Sequence, residues 1–165
     1  MNRLIFIVAL YASTAAFAQQ QVTTFILVRH AEKGNDGISD PDLSNAGKLR
    51  AESLSKLLAK TKVDAIYSTS FKRTRSTATP LAMAKHLTVE SYNPSKLEEI
   101  DAIIQKFKGG TVLVVGHSNT TPAFINYLTG HKDEYPAFDD SEYGDLIIVS
   151  VNERGKDSKV TWLSF

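Results

Sequence analysis

The sequence predicts an α/β fold, a three-layer αβα sandwich with a mostly parallel central sheet and an antiparallel edge. Three observations carry that prediction. Apolar and β-branched runs without polar alternation recur at "TTFILV", "VDAIYSTS" and "TVLVVG", as expected of strands covered on both faces. Segments of helical period separate them, and alternation of strand and helix favours parallel pairing through crossovers. Two further strand-like runs close the chain with only turn residues between them, which reads as a hairpin at the sheet edge.

The first residues stand apart from that domain. "MNRLIFIVALYASTAAFA" combines a basic start at Arg3, an apolar run from Leu4 and small residues at Ala16 and Ala18, the pattern of an export signal cleaved after Ala18. Ser13 and Thr14 interrupt the run, leaving it short of the roughly 20 apolar residues that a membrane span needs. The expectation is a signal peptide over 1–18, a single domain over 19–165, a periplasmic or secreted location and no stable membrane anchor.

The first strand runs from Thr23 to Val28 and ends on Arg29 and His30. After the polar loop "EKGNDGISDPD", the stretch "LSNAGKLRAESLSKLLAK" predicts a helix with Asp42 or Ser44 as N-cap. Its inner face is read as Leu43, Ala46, Leu49 or Arg50, Leu54, Leu57 and Leu58. A second strand at "VDAIYSTS" leads into a helix, "RTRSTATPLAMAKHL", with Pro80 in or bending an early turn. "TVESY" is a short strand. A third helix is expected from Pro94 to Lys108, with Leu97, Ile100, Ile103, Ile104 and Phe107 inward, and Gly109 stops it before "TVLVVG". A fourth starts near Asn119 and carries Phe124, Ile125 and Leu128 inward. The hairpin strands are "DLIIVSV" and "KVTWLSF", separated by "NERGKDS".

Composition narrows the chemistry. The chain has 165 residues with 19 Lys and Arg against 18 Asp and Glu, and no cysteine. Disulfides, thiol chemistry and a lipidated cysteine are excluded. Loss of Arg3 with the signal leaves 18 basic residues against 18 acidic, so no global field gathers nucleic acid or an anionic membrane. Any attraction for an anion is local.

Three strand ends carry unusual groups: "VRH" gives Arg29 and His30, "YSTSFKR" leads to Arg73, and "VVGHSN" gives His117. In a parallel sheet all three open onto one edge, where ligands bind. Two arginines and two imidazoles gathered there repel one another unless an anion sits among them, and the guanidinium fork suits phosphate oxygens. Helix starts near Asn119 and after Arg73 add N–H groups to the same place, so Arg29, Arg73, His117 and Asn119 form the expected phosphate-binding set. With no Walker loop and no cysteine, His30 is the best placed nucleophile. Arg29 and Arg73 keep its attacking nitrogen unprotonated, and His117 supplies a second hydrogen bond. A zinc site on His30, Glu32 and His117 is the rival arrangement, and the two arginines argue against it.

"LVRHAEK", "YSTSFKRTRSTA" and "VVGHSN" together resemble the histidine phosphatase superfamily, with its phosphoglycerate mutase-like fold, over essentially all of the expected mature chain. In size and in its few insertions the chain resembles the compact bacterial phosphohistidine phosphatases. The resemblance implies that Arg29 is a phosphate ligand, His30 the phosphorylated nucleophile and His117 a further phosphate contact. It selects Arg73 over Arg75, because Arg73 stands four residues before the Thr77–Ala78 pair. Leu43 and Gly47 match the family's first helix, and Ala31 replaces its usual glycine. It implies a metal-independent, cofactor-free acid phosphatase whose leaving oxygen is protonated by a glutamate in a Leu-x-Glu stretch. Leu97 and Glu99 imitate that spacing within a segment of helical period, and Glu32, Asp145 and Glu142 are the other candidate acids. The expected substrates are phosphomonoesters or phosphoramidates on a small molecule or a phosphorylated envelope glycan. The alternative is a non-catalytic module that binds phosphate in the same pocket. A mutase is disfavoured, because the chain after Arg73 is short. Tyr135, Phe138 and Tyr143 either wall the pocket or pack beneath its loop.

Overall fold

The computed structural model describes residues 21–35 and 37–165. The expected signal segment and its cleavage point at Ala18 lie outside the described residues, as do Asp36 and the side chain of Leu97.

Ten elements follow in the order β1 (Thr23–Arg29), α1 (Asn45–Leu57), β2 (Ala65–Ser68), α2 (Lys72–Lys85), β3 (Val89–Ser91), α3 (Leu97–Lys106), β4 (Thr111–Gly116), α4 (Thr120–Thr129), β5 (Asp145–Glu153) and β6 (Asp157–Ser164). The strands form one sheet in the order β3-β2-β4-β1-β5-β6. The first four pair in parallel, and β5 and β6 add antiparallel at the edge. The α/β sandwich and its antiparallel edge are therefore present as the sequence predicts.

Alternation along β1 divides the core into two layers. Phe25 and Leu27 pack with Ile100 and Ile103 of α3 and Phe124, Ile125 and Leu128 of α4. Ile26 and Val28 face the other way, onto Leu54 and Leu58 behind α1 and Ala78, Leu81 and Ala82 of α2. Each fully buried Leu or Ile contributes about 1.5–3 kcal/mol relative to exposure. The helices before and after β3 thus lie on opposite faces, and the chain changes direction beside β1 and β4.

Several details differ from the sequence reading. The inner face of α1 is Gly47, Ala51 and Leu54, continued by Leu58, while Ala46 is exposed. Leu49 and Leu57 point outward at 65% and 50% exposure. A Cβ at Gly47 would collide with the backbone carbonyl of Glu32, so a glycine rather than a leucine marks the point of closest approach. Ser44 is the N-cap, accepting from the Gly47 N–H at 3.1 Å, while the Asp42 carboxylate accepts from the adjacent Leu43 N–H. Pro80 lies well inside the 14-residue α2, not in its first turn, where its fixed φ is tolerated and one helical hydrogen bond is forgone. The third helix begins at Leu97, three residues later than expected, and the hairpin strands extend inward until only Arg154–Lys156 remain as the turn.

Candidate active site

Parallel register brings the strand ends together. Arg29 of β1 pairs with Gly116 of β4, and Val115 pairs with Ser68 of β2, so His30, His117 and Thr69 leave neighbouring strands at one edge. The crevice lies where the helices switch faces, the usual ligand position in such sheets. The His30 N–H donates to the Gly116 carbonyl at 2.9 Å. A Cβ on Gly116 would lie 2.7 Å from Thr121 Oγ1, so the residue before His117 has to be glycine for α4 to start this close.

His30 is buried, and its Nδ1 lies 2.8 Å from the carbonyl of Ala31. A carbonyl only accepts, so Nδ1 carries the proton and Nε2 keeps its lone pair. Burial, and then the positive neighbours Arg73, His117 and Arg29, lower its pKa to about 4, against an opposing contribution from the Ala31 bond. The ring is therefore neutral at ordinary pH. His117 stands 5.3 Å away between ring centroids, and burial followed by Arg73 and Arg29 lowers its pKa to about 4 as well. Its Nε2 lies 2.8 Å from Thr69 Oγ1 and its Nδ1 3.4 Å from Arg73 Nη2.

The two arginines are held differently. Arg29 Nη1 donates to the carbonyls of Asp139 and Glu142 at 2.7 and 2.8 Å, and its guanidinium lies 4.2 Å from the centre of the Tyr143 ring. Its buried Nε has no hydrogen-bond partner in the protein. Arg73 stacks on Phe71 at 4.4 Å and donates weakly to Asp40 at 3.4 Å. Asp40 also accepts from the Lys72 N–H, so the start of α2 is partly closed by a carboxylate instead of being wholly open to the ligand. Thr77, one turn beyond Arg73, accepts from the Ala31 N–H at 2.9 Å and donates to the Arg73 carbonyl at 2.7 Å. Its neighbour Ala78 is fully buried, which gives the Arg73–Thr77–Ala78 spacing a physical role: it fixes α2 against the turn that carries His30.

These groups line a cavity of about 930 Å³ that also includes Lys33, Glu99, Ser118, Asn119 and Tyr143. Glu99 is in this wall, although α3 carries it, and its Oε2 accepts from the Asn93 N–H at 2.8 Å. Glu32 is elsewhere: it forms a bidentate pair with Arg50, 2.7 Å at the shortest, which holds its carboxyl below the ordinary range. Arg50 also donates to the terminal Phe165 carbonyl. Asp145 lies outside the lining, its pKa raised by burial and by Glu142. The candidate metal set is split, because Glu32 turns to Arg50, and among the described residues no three such side chains gather to hold an ion.

The loop aromatics divide. Tyr143 faces the cavity, whereas Tyr135 and Phe138 pack on Trp162 of β6. Sequence reasoning passed over Thr69 as a site residue, and of the three loop aromatics it left open as pocket wall or packing, Tyr143 is the one in the wall. Thr69 stands directly after β2 at the same edge as the histidines, a positional signal; nothing local announces that Tyr143 will cover Arg29, 114 residues away.

The family model described as the histidine phosphatase superfamily (branch 1) matches residues 25–102. Phosphoserine phosphatase 1 of Hydrogenobacter thermophilus is 43% identical over 82 residues, an overlap covering 46% of this chain and 38% of that protein. The chain thus matches little more than a third of that relative's length. Among solved structures, a mycobacterial glucosyl-3-phosphoglycerate phosphatase aligns with a TM-score of 0.73 and 14% identity, covering 87% of this chain and 99% of the other. The protein histidine phosphatase SixA, complexed with tungstate, aligns at 0.71 with 17% identity, covering 86% and 96%. At these identities the structural likeness establishes the fold.

Proposed function

We propose that this chain, whose residues 25–102 match the model of the histidine phosphatase superfamily, hydrolyses phosphomonoesters or phosphoramidates through a phosphohistidine on His30. One observation carries the reading: Nδ1 of His30 is committed to a backbone carbonyl, so the unprotonated Nε2 is the atom left to attack in a cavity holding two guanidinium groups. Arg29, Arg73, His117 and Asn119 receive the phosphoryl oxygens. The Nε2 lone pair forms the P–N bond as the bond from phosphorus to the leaving atom breaks, and the electron pair departs with that atom. Water then attacks phosphorus, the P–N electrons return to Nε2, and inorganic phosphate leaves. No step uses a metal or an organic cofactor.

Glu99 protonates the leaving atom and later takes the proton from water. Of Glu32, Glu99, Asp145 and Glu142 it alone lines the cavity, whose other carboxylate, Asp140, lies 3.7 Å from Arg29. Glu99→Gln should slow hydrolysis of an alkyl phosphate by about 10²–10⁴-fold while sparing p-nitrophenyl phosphate, whose leaving group needs little protonation. Equal losses on both substrates would remove Glu99 from this role.

The protein acts in the periplasm or as a secreted enzyme on a phosphorylated small molecule or envelope glycan. The composition of residues 1–18 supports export, and the name of the Hydrogenobacter relative makes phosphoserine the first substrate to try. The N-terminal sequence of the extracytoplasmic protein, expected to begin at Gln19, tests export.

The decisive experiment is incubation of residues 19–165 with p-nitrophenyl phosphate and phosphoserine across pH 4.5–8, with and without a strong chelator. Turnover insensitive to the chelator is expected. A second reading, a phosphate-binding module, is favoured by the engagement of Glu99 with the Asn93 N–H; phosphate binding without turnover at any pH would establish it.

A further inference from the structure

The hydrogen bonds behind His117 run in one direction. Thr74 Oγ1 lies 2.8 Å from the Phe71 carbonyl and 3.0 Å from the Thr69 carbonyl. Both carbonyls only accept, so the single Thr74 hydroxyl proton is used on them. The 2.9 Å contact between the two threonine hydroxyls is then filled by the proton of Thr69. With its own proton spent, Thr69 Oγ1 accepts across the 2.8 Å contact to His117, and Nε2 of His117 carries the hydrogen. The other end of the ring agrees. Arg73 Nη2, a donor without lone pairs, faces Nδ1 at 3.4 Å, and this is an attraction only where Nδ1 is bare. The opposite tautomer leaves either the 2.9 Å contact between the threonine hydroxyls or the contacts from Thr74 to the two carbonyls without a proton, and it sets two N–H groups against each other.

We propose that Thr69 and Thr74 are positioning residues that hold His117 in its Nε2–H tautomer, so that the site binds a phosphoryl group together with one proton shared between Nδ1 and a phosphoryl oxygen. The inference rests on the proposed phosphoryl site. A dianionic phosphate meets Nδ1 as lone pair against lone pair; a monoanion donates its P–OH to Nδ1, or Nδ1 takes a proton from solution as the dianion binds. The proton count is the same on either route. The charged and titratable groups facing His117 are Arg73 of α2, Arg29 of β1 with the adjoining His30, and Asp40 of the connecting loop. The arginines disfavour imidazolium in the empty site and disfavour it less once an anion neutralises them. His30 faces the same charges, so between pH 5.5 and 8.5 the share of the bound proton that belongs to His117 is the part that Thr69→Val removes and Thr69→Ser restores.

The test is calorimetric binding of inorganic phosphate across that range, in two buffers of different ionisation enthalpy, which needs no turnover and so is separable from the failure of the phosphatase reading. The wild-type protein should take up close to one proton per phosphate dianion at pH 8, with affinity falling about tenfold per pH unit above the second ionisation of phosphate. Thr69→Val frees the ring to present Nδ1–H, and its affinity should vary less than about threefold over the same range. Thr69→Ser, which keeps the hydroxyl, should restore the wild-type slope. Wild-type binding without proton uptake overturns the proposal, a result that does not depend on any variant folding. So does a folded Thr69→Val protein that retains the wild-type slope.

Discussion

The two sides of the cavity at the strand ends are built on different principles. At the end of β1, main-chain carbonyls accept the short hydrogen bonds, Ala31 from His30 and Asp139 and Glu142 from Arg29, which also lies against the Tyr143 ring. Across the crevice, at the ends of β4 and β2, side chains do the work: Thr69 holds His117, and Asp40 and Phe71 hold Arg73. A carbonyl cannot be removed by substitution and offers only an acceptor, so the tautomer of the nucleophile follows from the fold itself. The facing side can be retuned one residue at a time. The difference separates a side fixed by the main chain from one set largely by side chains.

The comparison can be tested from its largest consequence downward. His30→Ala should abolish both turnover and acid-labile phosphorylation measured by rapid quench; a variant that is still labelled places the nucleophile elsewhere. The arginines come next. Arg73→Ala should lose about 3–4 kcal/mol of transition-state stabilisation, on the order of 10²–10³ in kcat/KM, with little change in Tm. Arg29→Ala should lose activity and also lower Tm, because it leaves two loop carbonyls without their donor; equal Tm values for the two variants would remove the asymmetry.

A third effect is on stability. Both histidines have pKa values near 4 in the fold against an ordinary 6.5. Because the folded values are the lower ones, the unfolded chain binds the extra protons between them, so stability is full above about pH 6.5 and declines as pH falls toward 4. Denaturant midpoints at pH 7.5 and 4.5 should show the loss, and the double variant His30→Asn with His117→Asn should shrink it. Staying above pH 4.5 keeps this apart from the carboxylates Glu32, Asp42 and Asp64, whose lowered values give losses at more acid pH. The smallest effect is expected of Asp40→Asn, whose partly exposed pair with Arg73 is worth about 0–1 kcal/mol. It should raise KM for a phosphomonoester a few-fold and leave kcat nearly unchanged.

Most of the β1 side of the cavity was legible in the sequence. A buried strand running straight into Arg29 and His30 is a local pattern, as are Gly116 before His117 and the one-turn spacing from Arg73 to Thr77. The face of α1 was less legible for a definite reason. Leu49 and Leu57 carry a strong apolar signal yet point to solvent, while Gly47 and Ala51 carry almost none and make the closest approach to the segment after β1. Small residues mark where backbones meet, and hydropathy does not register them. The candidate acids show the same limit: Glu32 stood nearest the nucleophile in sequence but is taken by Arg50, whereas Glu99 reaches the cavity from a helix whose periodicity had suggested a solvated face.

The sequence by itself determined the strand–helix alternation and, through it, which residues stand at the strand ends, because hydrophobic period and backbone preference act over a few residues. Only the tertiary structure decided which nitrogen each histidine presents, that Glu99 and Asp140 are the carboxylates lining the cavity, and how Tyr143 and the carbonyls of Asp139 and Glu142 cover Arg29. Those outcomes depend on directed hydrogen bonds between groups up to 114 residues apart, and such partners are chosen by the packing that brings them within about 3 Å.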